Sequence, residues 1–224
     1  MNITDYLVSK TTLLVPQPEI TPTPPGYQMF NTGGVEVEVA EFLYSFVKMV
    51  KPTQILETGT HLGVSTAYMA QALLENKKGV INTCEVISSL QQQAIQLWNQ
   101  LGLMKQIHAF LKPSLSLEVN QAVMFDMLFL DSEPQLRFDE LLKFWNYVPA
   151  GGFIITHDLH PSMGHHGETY HGTYDWPYGD FRPKLGYLFK DKQVQYMHFA
   201  TPRGLTVMQK TDPSWEIVKY LAGE

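Results

Sequence analysis

One cysteine in 224 residues, Cys84, leaves no partner for an internal disulfide and no thiolate cluster for zinc, as expected of a reducing, cytoplasmic compartment. Set in an apolar run, it reads as a core residue. Charge is also sparse. With 22 acidic against 16 basic residues and no Lys/Arg cluster, the chain has no means of neutralising a run of phosphates, so nucleic acid is not the expected substrate. No apolar run approaches the ~20 residues that a bilayer span requires, and the opening MNITDYLVSKTTLLV lacks the basic flank and hydrophobic stretch of a secretion signal. What is present is 44% hydrophobic and 12% aromatic residues, enough for one full core.

Residues 16–25, PQPEITPTPP, hold five prolines, whose fixed φ and missing N–H groups disfavour helix and sheet. An N-terminal arm and tether over 1–25 is expected, followed by one domain over 26–224. From Val35 the apolar residues Val39, Phe42, Leu43, Phe46, Val47 and Val50 recur at helical spacing, and Pro52 marks the stop. Short apolar runs then alternate with helical patterns. Strands are expected at 54–58, 80–85, 106–111, 125–131 and 152–158, with helices near 64–75, 88–101, 114–122 and 136–147. Such crossovers imply a parallel sheet with helices on both faces. After a helix near 180–190, VQYMHFA and GLTVMQK are separated only by Thr201, Pro202 and Arg203, which suits a hairpin. The expected fold is α/β, a Rossmann-like, mostly parallel sheet of seven strands.

The segment ILETGTHLGVSTAYMA, 55–70, carries the most chemistry. An apolar strand ends at Glu57, passes Gly59, Thr60 and Gly63, and enters a helix near Val64. Glycine at 59 lets the backbone approach a ligand, and the first N–H groups of the helix offer unpaired donors to a carboxylate or phosphate. Ser65 adds a hydroxyl. The spacing E-x-G-x-x-x-G lacks the third glycine of dinucleotide-binding dehydrogenases, and a carboxylate before the first glycine repels pyrophosphate while attracting an ammonium group. S-adenosylmethionine is the cofactor this favours. Glu85, 28 residues after Glu57, closes the second strand where an acid can accept both ribose hydroxyls.

In order and spacing, ILETGTHLGVS, the acid in TCEV, FDMLFLDS and VPAGGFIITHD resemble the successive motifs of class I methyltransferases. Within that group the chain is similar to the catechol O-methyltransferase-like and macrocin/rhamnosyl O-methyltransferase-like families, over roughly residues 26–210. The resemblance implies strand order 3-2-1-4-5-7-6 with strand 7 antiparallel, a homodimer, and methyl transfer to a hydroxyl of a small molecule. It implies further that Glu57, Gly59 and Ser65, with Thr60 and Gly63 in the same turn, hold the amino-acid part of the cofactor, and Glu85 the ribose. Ser114 matches the position lining adenine; Ser132, beside Asp131, completes the expected cofactor set.

Catechol-type enzymes hold a divalent cation with an Asp after strand 4 and an Asp-Asn or Asp-Asp pair after strand 5, and the matching residues here are Asp131, His157 and Asp158. Two carboxylates converging with an imidazole repel each other unless a cation relieves the cost. Mg²⁺ is what the family implies, and the imidazole shifts preference toward Mn²⁺ or another transition metal. The lysine that catechol-type enzymes place three residues after the strand-4 Asp is replaced by Pro134, so the base must be sought elsewhere. His157 is one candidate. Others lie in a lid expected over 159–180, LHPSMGHHGETYHGTYDWPYGD, which holds His160, His165, His166 and His171 with four aromatic rings and no Lys or Arg. His160 and His166 complete the catalytic set of Asp131 and His157. Upstream, Tyr27 and Phe30 face either substrate or core. Two alternatives stay open: a metal-independent methyltransferase using a histidine base, and a non-catalytic cofactor-binding protein of the same fold.

Overall fold

A computed structural model describes residues 1–18, 27–32, 34–158, 194–199 and 201–212. The chain divides into two compact units, Met1–Ser114 and Leu115–Glu224. The helix expected at 180–190, the lid at 159–180 and most of the proline-rich tether lie outside the described residues.

In the first unit, helix α1 (Ile3–Val8) begins at an Asn2 cap whose side chain accepts from the Asp5 N–H, supplying one of the partners that a helix start lacks. The Thr4 hydroxyl donates to Glu41 and lies 2.8 Å from the Tyr68 hydroxyl, while Leu7 and Leu14 are fully buried. The first fifteen residues, expected as an arm, are thus packed into this unit. Strand β1 (Pro16–Pro18) pairs antiparallel with β2 (Gln28–Phe30), and the Phe30 ring sits in the core 6.0 Å from that of Tyr68. Helix α2 (Val37–Val50) buries Val39, Leu43, Phe46 and Val47 on one stripe; left-handed Lys51 and then Pro52 end it.

The central strands of this unit are β3 (Gln54–Thr58), β4 (Val80–Glu85) and β5 (Ile107–Leu111), paired in parallel with β4 in the middle. Two crossovers join them, α3 (Val64–Asn76) and α4 (Ser88–Leu101), as parallel pairing demands. Cys84 is buried in β4, as the apolar run around it suggests.

The second unit differs from expectation at its start. Where 114–122 reads as helix, only a single 3₁₀ turn, Ser114–Ser116, straddles the boundary. The Asn120 side chain accepts from the Ala122 N–H and its carbonyl from the Val123 N–H, a local alternative that competes with helix. Strand β6 (Met127–Leu130) is buried at every residue, helix α5 (Arg137–Phe144) follows a 3₁₀ turn at Pro134–Leu136, and β7 (Phe153–His157) runs parallel to β6. Strands β8 (Val194–Phe199) and β9 (Leu205–Lys210) form the expected hairpin, with β9 antiparallel to both β8 and β7. The Lys210 amine is buried and donates to the Trp145 and Val148 carbonyls at 3.1 Å each, closing the last turn after α5.

The sheet order is β5-β4-β3-β6-β7-β9-β8. Leaving aside the β1–β2 ribbon, this is the 3-2-1-4-5-7-6 order of the Rossmann-like methyltransferase fold, with the penultimate position in the sheet filled by the antiparallel last strand. Among the described residues no helix is long and apolar enough to cross a membrane.

One contact fixes the β3–α3 corner. Gly63 has φ +76°, and a Cβ on it would lie 2.6 Å from Trp98 Nε1 and 2.8 Å from the Ala94 methyl, so only glycine fits beneath the indole of α4. Trp98 in turn donates its N–H to the Gly63 carbonyl at 2.9 Å. Replacing Gly63 by Ala forces both a strained φ and an overpacked corner, and should lower unfolding free energy by about 3 kcal/mol in urea titrations; an unchanged midpoint would contradict this packing.

Candidate functional site

In the first unit the acidic residues of the glycine turn are held by hydrogen bonds that the sequence does not announce. Glu57, next to last in β3, has no exposed surface, and its two carboxylate oxygens accept from the hydroxyls of Ser65, at 2.6 Å, and Thr66. Both hydroxyls belong to the first turn of α3, where the aligned peptide dipoles favour a negative charge. Ser65, expected at the cofactor, is therefore also the residue that pins Glu57. Thr66 was not singled out in the sequence, although its place beside Ser65 at the helix start is the kind of position that supplies such a donor.

Gly59 takes φ +84°, which glycine adopts at little cost, and the Gly59 and Thr60 N–H groups donate to the Cys84 carbonyl. The Thr60 hydroxyl pairs with that of Thr83 at 2.6 Å, and the Gly63 N–H donates to the Thr60 carbonyl at 2.8 Å. Thr60 and Gly63 thus shape the turn from within. Glu85, at the end of β4, accepts from the backbone N–H groups of Val86 and Ile87 on one oxygen and His61 on the other, at 2.8–2.9 Å. A carboxylate offers about four acceptor positions, so three fixed amides leave it oriented with capacity for a ligand hydroxyl. His61 is held in the left-handed region, φ +48°, an uncommon state for a side-chain-bearing residue and a further sign that this turn is tightly determined. Ser114 is buried at the end of this unit.

The second unit gathers Asp131, His157 and Asp158. His157 is the last residue of β7 and only 1% exposed. Its Nδ1 lies 3.1 Å from Asp131 Oδ1 and 3.5 Å from Asp158 Oδ1, and one donor atom from each of the three residues falls within 4.8 Å of the others. Donors about 2.1 Å from a common ion stand ~3.0 Å apart at right angles and ~3.4 Å apart in a tetrahedron, and the two distances from His157 Nδ1 fall near these values. Asp158 Oδ1 supports the fit, being buried without a hydrogen-bond partner among the described residues. Asp158 itself has φ +58°.

The residue that the sequence reading missed is Arg137. Its guanidinium, buried among these groups, donates to Asp158 Oδ2 at 3.0 Å, to Asp131 Oδ1 at 3.3 Å, and to the Ser132 and His157 carbonyls. In sequence it opens an amphipathic helix six residues after Asp131, which reads as an ordinary solvated face. Burial pushes the Asp158 carboxyl upward, but the neighbouring His157, Arg137 and Arg203 outweigh it and hold the group well below the usual carboxylate range. Ser132, expected at the cofactor, donates its hydroxyl to the fully buried Glu140 at 2.8 Å. His160 and His166, expected as catalytic, lie outside the described residues, as do His165 and His171.

Comparison with known proteins bears on the fold. Residues 56–159 match a family described as a methyltransferase domain. No curated protein sequence matches the chain. Among solved structures the chain is similar to a Podospora anserina methyltransferase bound to S-adenosylhomocysteine, with a TM-score of 0.64, 16% identity and 78% of each chain covered. It is similar also to a Bacillus cereus O-methyltransferase in complex with S-adenosylhomocysteine, with a TM-score of 0.63, 20% identity, and 80% of this chain and 83% of that one covered. A Streptomyces achromogenes O-methyltransferase involved in tomaymycin synthesis, in complex with S-adenosylmethionine, gives 0.60 and 19%, with 80% and 82% covered. Residues 56–159 are thus similar to a methyltransferase domain, and the chain shares its fold with solved methyltransferase structures.

Proposed function

We propose that the chain transfers a methyl group from S-adenosylmethionine to a hydroxyl oxygen of a small molecule, a phenol, a sugar or a related natural product. The observation that carries this reading is the buried, hydroxyl-locked acid at the glycine turn of the first unit; the second unit, taken by itself, holds an Asp–His–Asp cluster at its strand ends. The cofactor supplies an electrophilic methyl on a sulfonium. Glu57 supplies buried negative charge toward the ammonium of its amino-acid end, Ser65 a hydroxyl and Gly59 the close backbone approach, while Glu85 accepts from the ribose hydroxyls. Ser114 belongs beside the adenine in this reading, and Ser132 beside Asp131.

Asp131, His157 and Asp158 are the residues that would hold a divalent ion, Mg²⁺ or, given the imidazole, Mn²⁺. Such an ion lowers the pKa of a bound hydroxyl and fixes its oxygen for in-line attack. A second reading drops the ion, and Arg137 favours it: a guanidinium within 3.3 Å of both carboxylates already relieves part of the repulsion that a cation would otherwise have to relieve. Here His157, its Nδ1 turned toward Asp131, takes the proton. The resemblance adds a homodimer, and the cysteine content a cytoplasmic location, to the proposal.

Two experiments test it. Calorimetry with S-adenosylmethionine should show affinity falling at least about tenfold, or ~1.4 kcal/mol, in Glu57→Gln and in Glu85→Ala; wild-type affinity in both variants would remove the cofactor assignment. Methyl transfer to a panel of phenols and sugars, followed with labelled cofactor, should be lost in Asp131→Ala. Exhaustive chelation separates the two readings, since activity that falls and returns with Mn²⁺ supports the ion, and activity that persists supports the imidazole base.

A further inference from the structure

The ionisable groups around His157 present an electrostatic problem that the sequence leaves unsolved. Asp131 and Asp158 bring two carboxylates within reach of one imidazole nitrogen, with side chains only 13% and 18% exposed. Two such charges so poorly hydrated cannot remain together without a counter-charge. Arg137 is placed to provide it. Its side chain is 2% exposed, and one terminal nitrogen, Nη2, reaches both carboxylates. The rest of the fork ties down backbone: Nε and Nη2 reach the Ser132 carbonyl just beyond β6, and Nη1 reaches the His157 carbonyl at the end of β7. One planar group thereby fixes both strand ends and both acids.

Two further details indicate that helix stability does not account for this arginine. It opens α5, where the peptide dipoles disfavour a cation and where Asp139 and Glu140 are the residues that suit the position. Asp158 sits in the left-handed region, a conformation that persists in a residue bearing a side chain only where its surroundings over-determine it, and the Arg137 bond to Oδ2 is one such determinant.

We propose that Arg137 is a positioning residue that serves as a built-in counter-cation: it keeps the Asp131–His157–Asp158 array assembled whether or not a divalent ion is bound. The array then awaits substrate in its working geometry, and an ion, where used, adds to a site that is already built. The functional meaning of the array rests on the methyl-transfer reading above, but the counter-charge role does not require it.

The test is thermal unfolding of the full chain in EDTA. Arg137→Gln removes the charge at similar size, and should lower the melting temperature by roughly 10 °C, the scale for stripping the partner from a buried charge pair. Adding Asp158→Asn to that variant, which removes one of the two repelling carboxylates, should restore at least half of the loss, and Mn²⁺ added to Arg137→Gln should do the same while shifting the wild type far less. A loss that neither change restores would make Arg137 a packing element and overturn the proposal. If Arg137→Gln does not fold, the double variant carries the comparison: soluble, cooperative unfolding supports the proposal, and failure to fold overturns it. Absence of Mn²⁺ binding to the wild type by calorimetry, together with rescue by Asp158→Asn, would sustain the role of Arg137 while removing the ion from the proposed function.

Discussion

A carboxylate with no exposed surface is the constraint around which the first unit is arranged. Glu57 is buried at the end of β3 against the start of α3, and Ser65 and Thr66 turn their hydroxyls onto it from the positive end of that helix. Those two bonds tie β3 to the start of α3. Beside them Gly63 lies under the Trp98 indole, Gly59 has a positive φ and the His61 amide donates to Glu85. The turn proposed to receive the cofactor and the packing corner share these residues.

The second unit meets a comparable electrostatic demand by different means. Asp131 and Asp158 are bound by a guanidinium, which brings full charge, whereas Ser65 and Thr66 bring hydroxyl dipoles to Glu57. The difference matters chemically. A carboxylate held by hydroxyls retains its full negative charge, whereas a pair of carboxylates crossed by a guanidinium is partly neutralised.

Much of this was legible in the residues. Alternating apolar runs and crossover patterns gave the strands and their mostly parallel pairing, because buried parallel strands leave continuous apolar stretches such as MLFL at 127–130, and the three-residue gap before Gly204 suits a hairpin; the strand order came from the family resemblance. Glu57, Glu85, Asp131, His157 and Asp158 were identifiable because each sits at a strand end, the part of an α/β sheet where side chains meet ligands. Local hydrogen bonding was harder to read. A helix over 114–122 has acceptable composition, yet Asn120 captures its own neighbours; Arg137 looks like a surface residue of an amphipathic helix until the positions of Asp131 and Asp158 are known. Gly63 suits a ligand-approach motif equally well, and only the three-dimensional fold reveals the indole above it.

The most direct measurement is a crystal structure of the protein with S-adenosylhomocysteine. The account predicts the amino-acid end of the ligand against the Gly59–Ser65 turn and its ribose hydroxyls on Glu85. A ligand bound away from that turn, or a turn that accepts a pyrophosphate compound in its place, would contradict it.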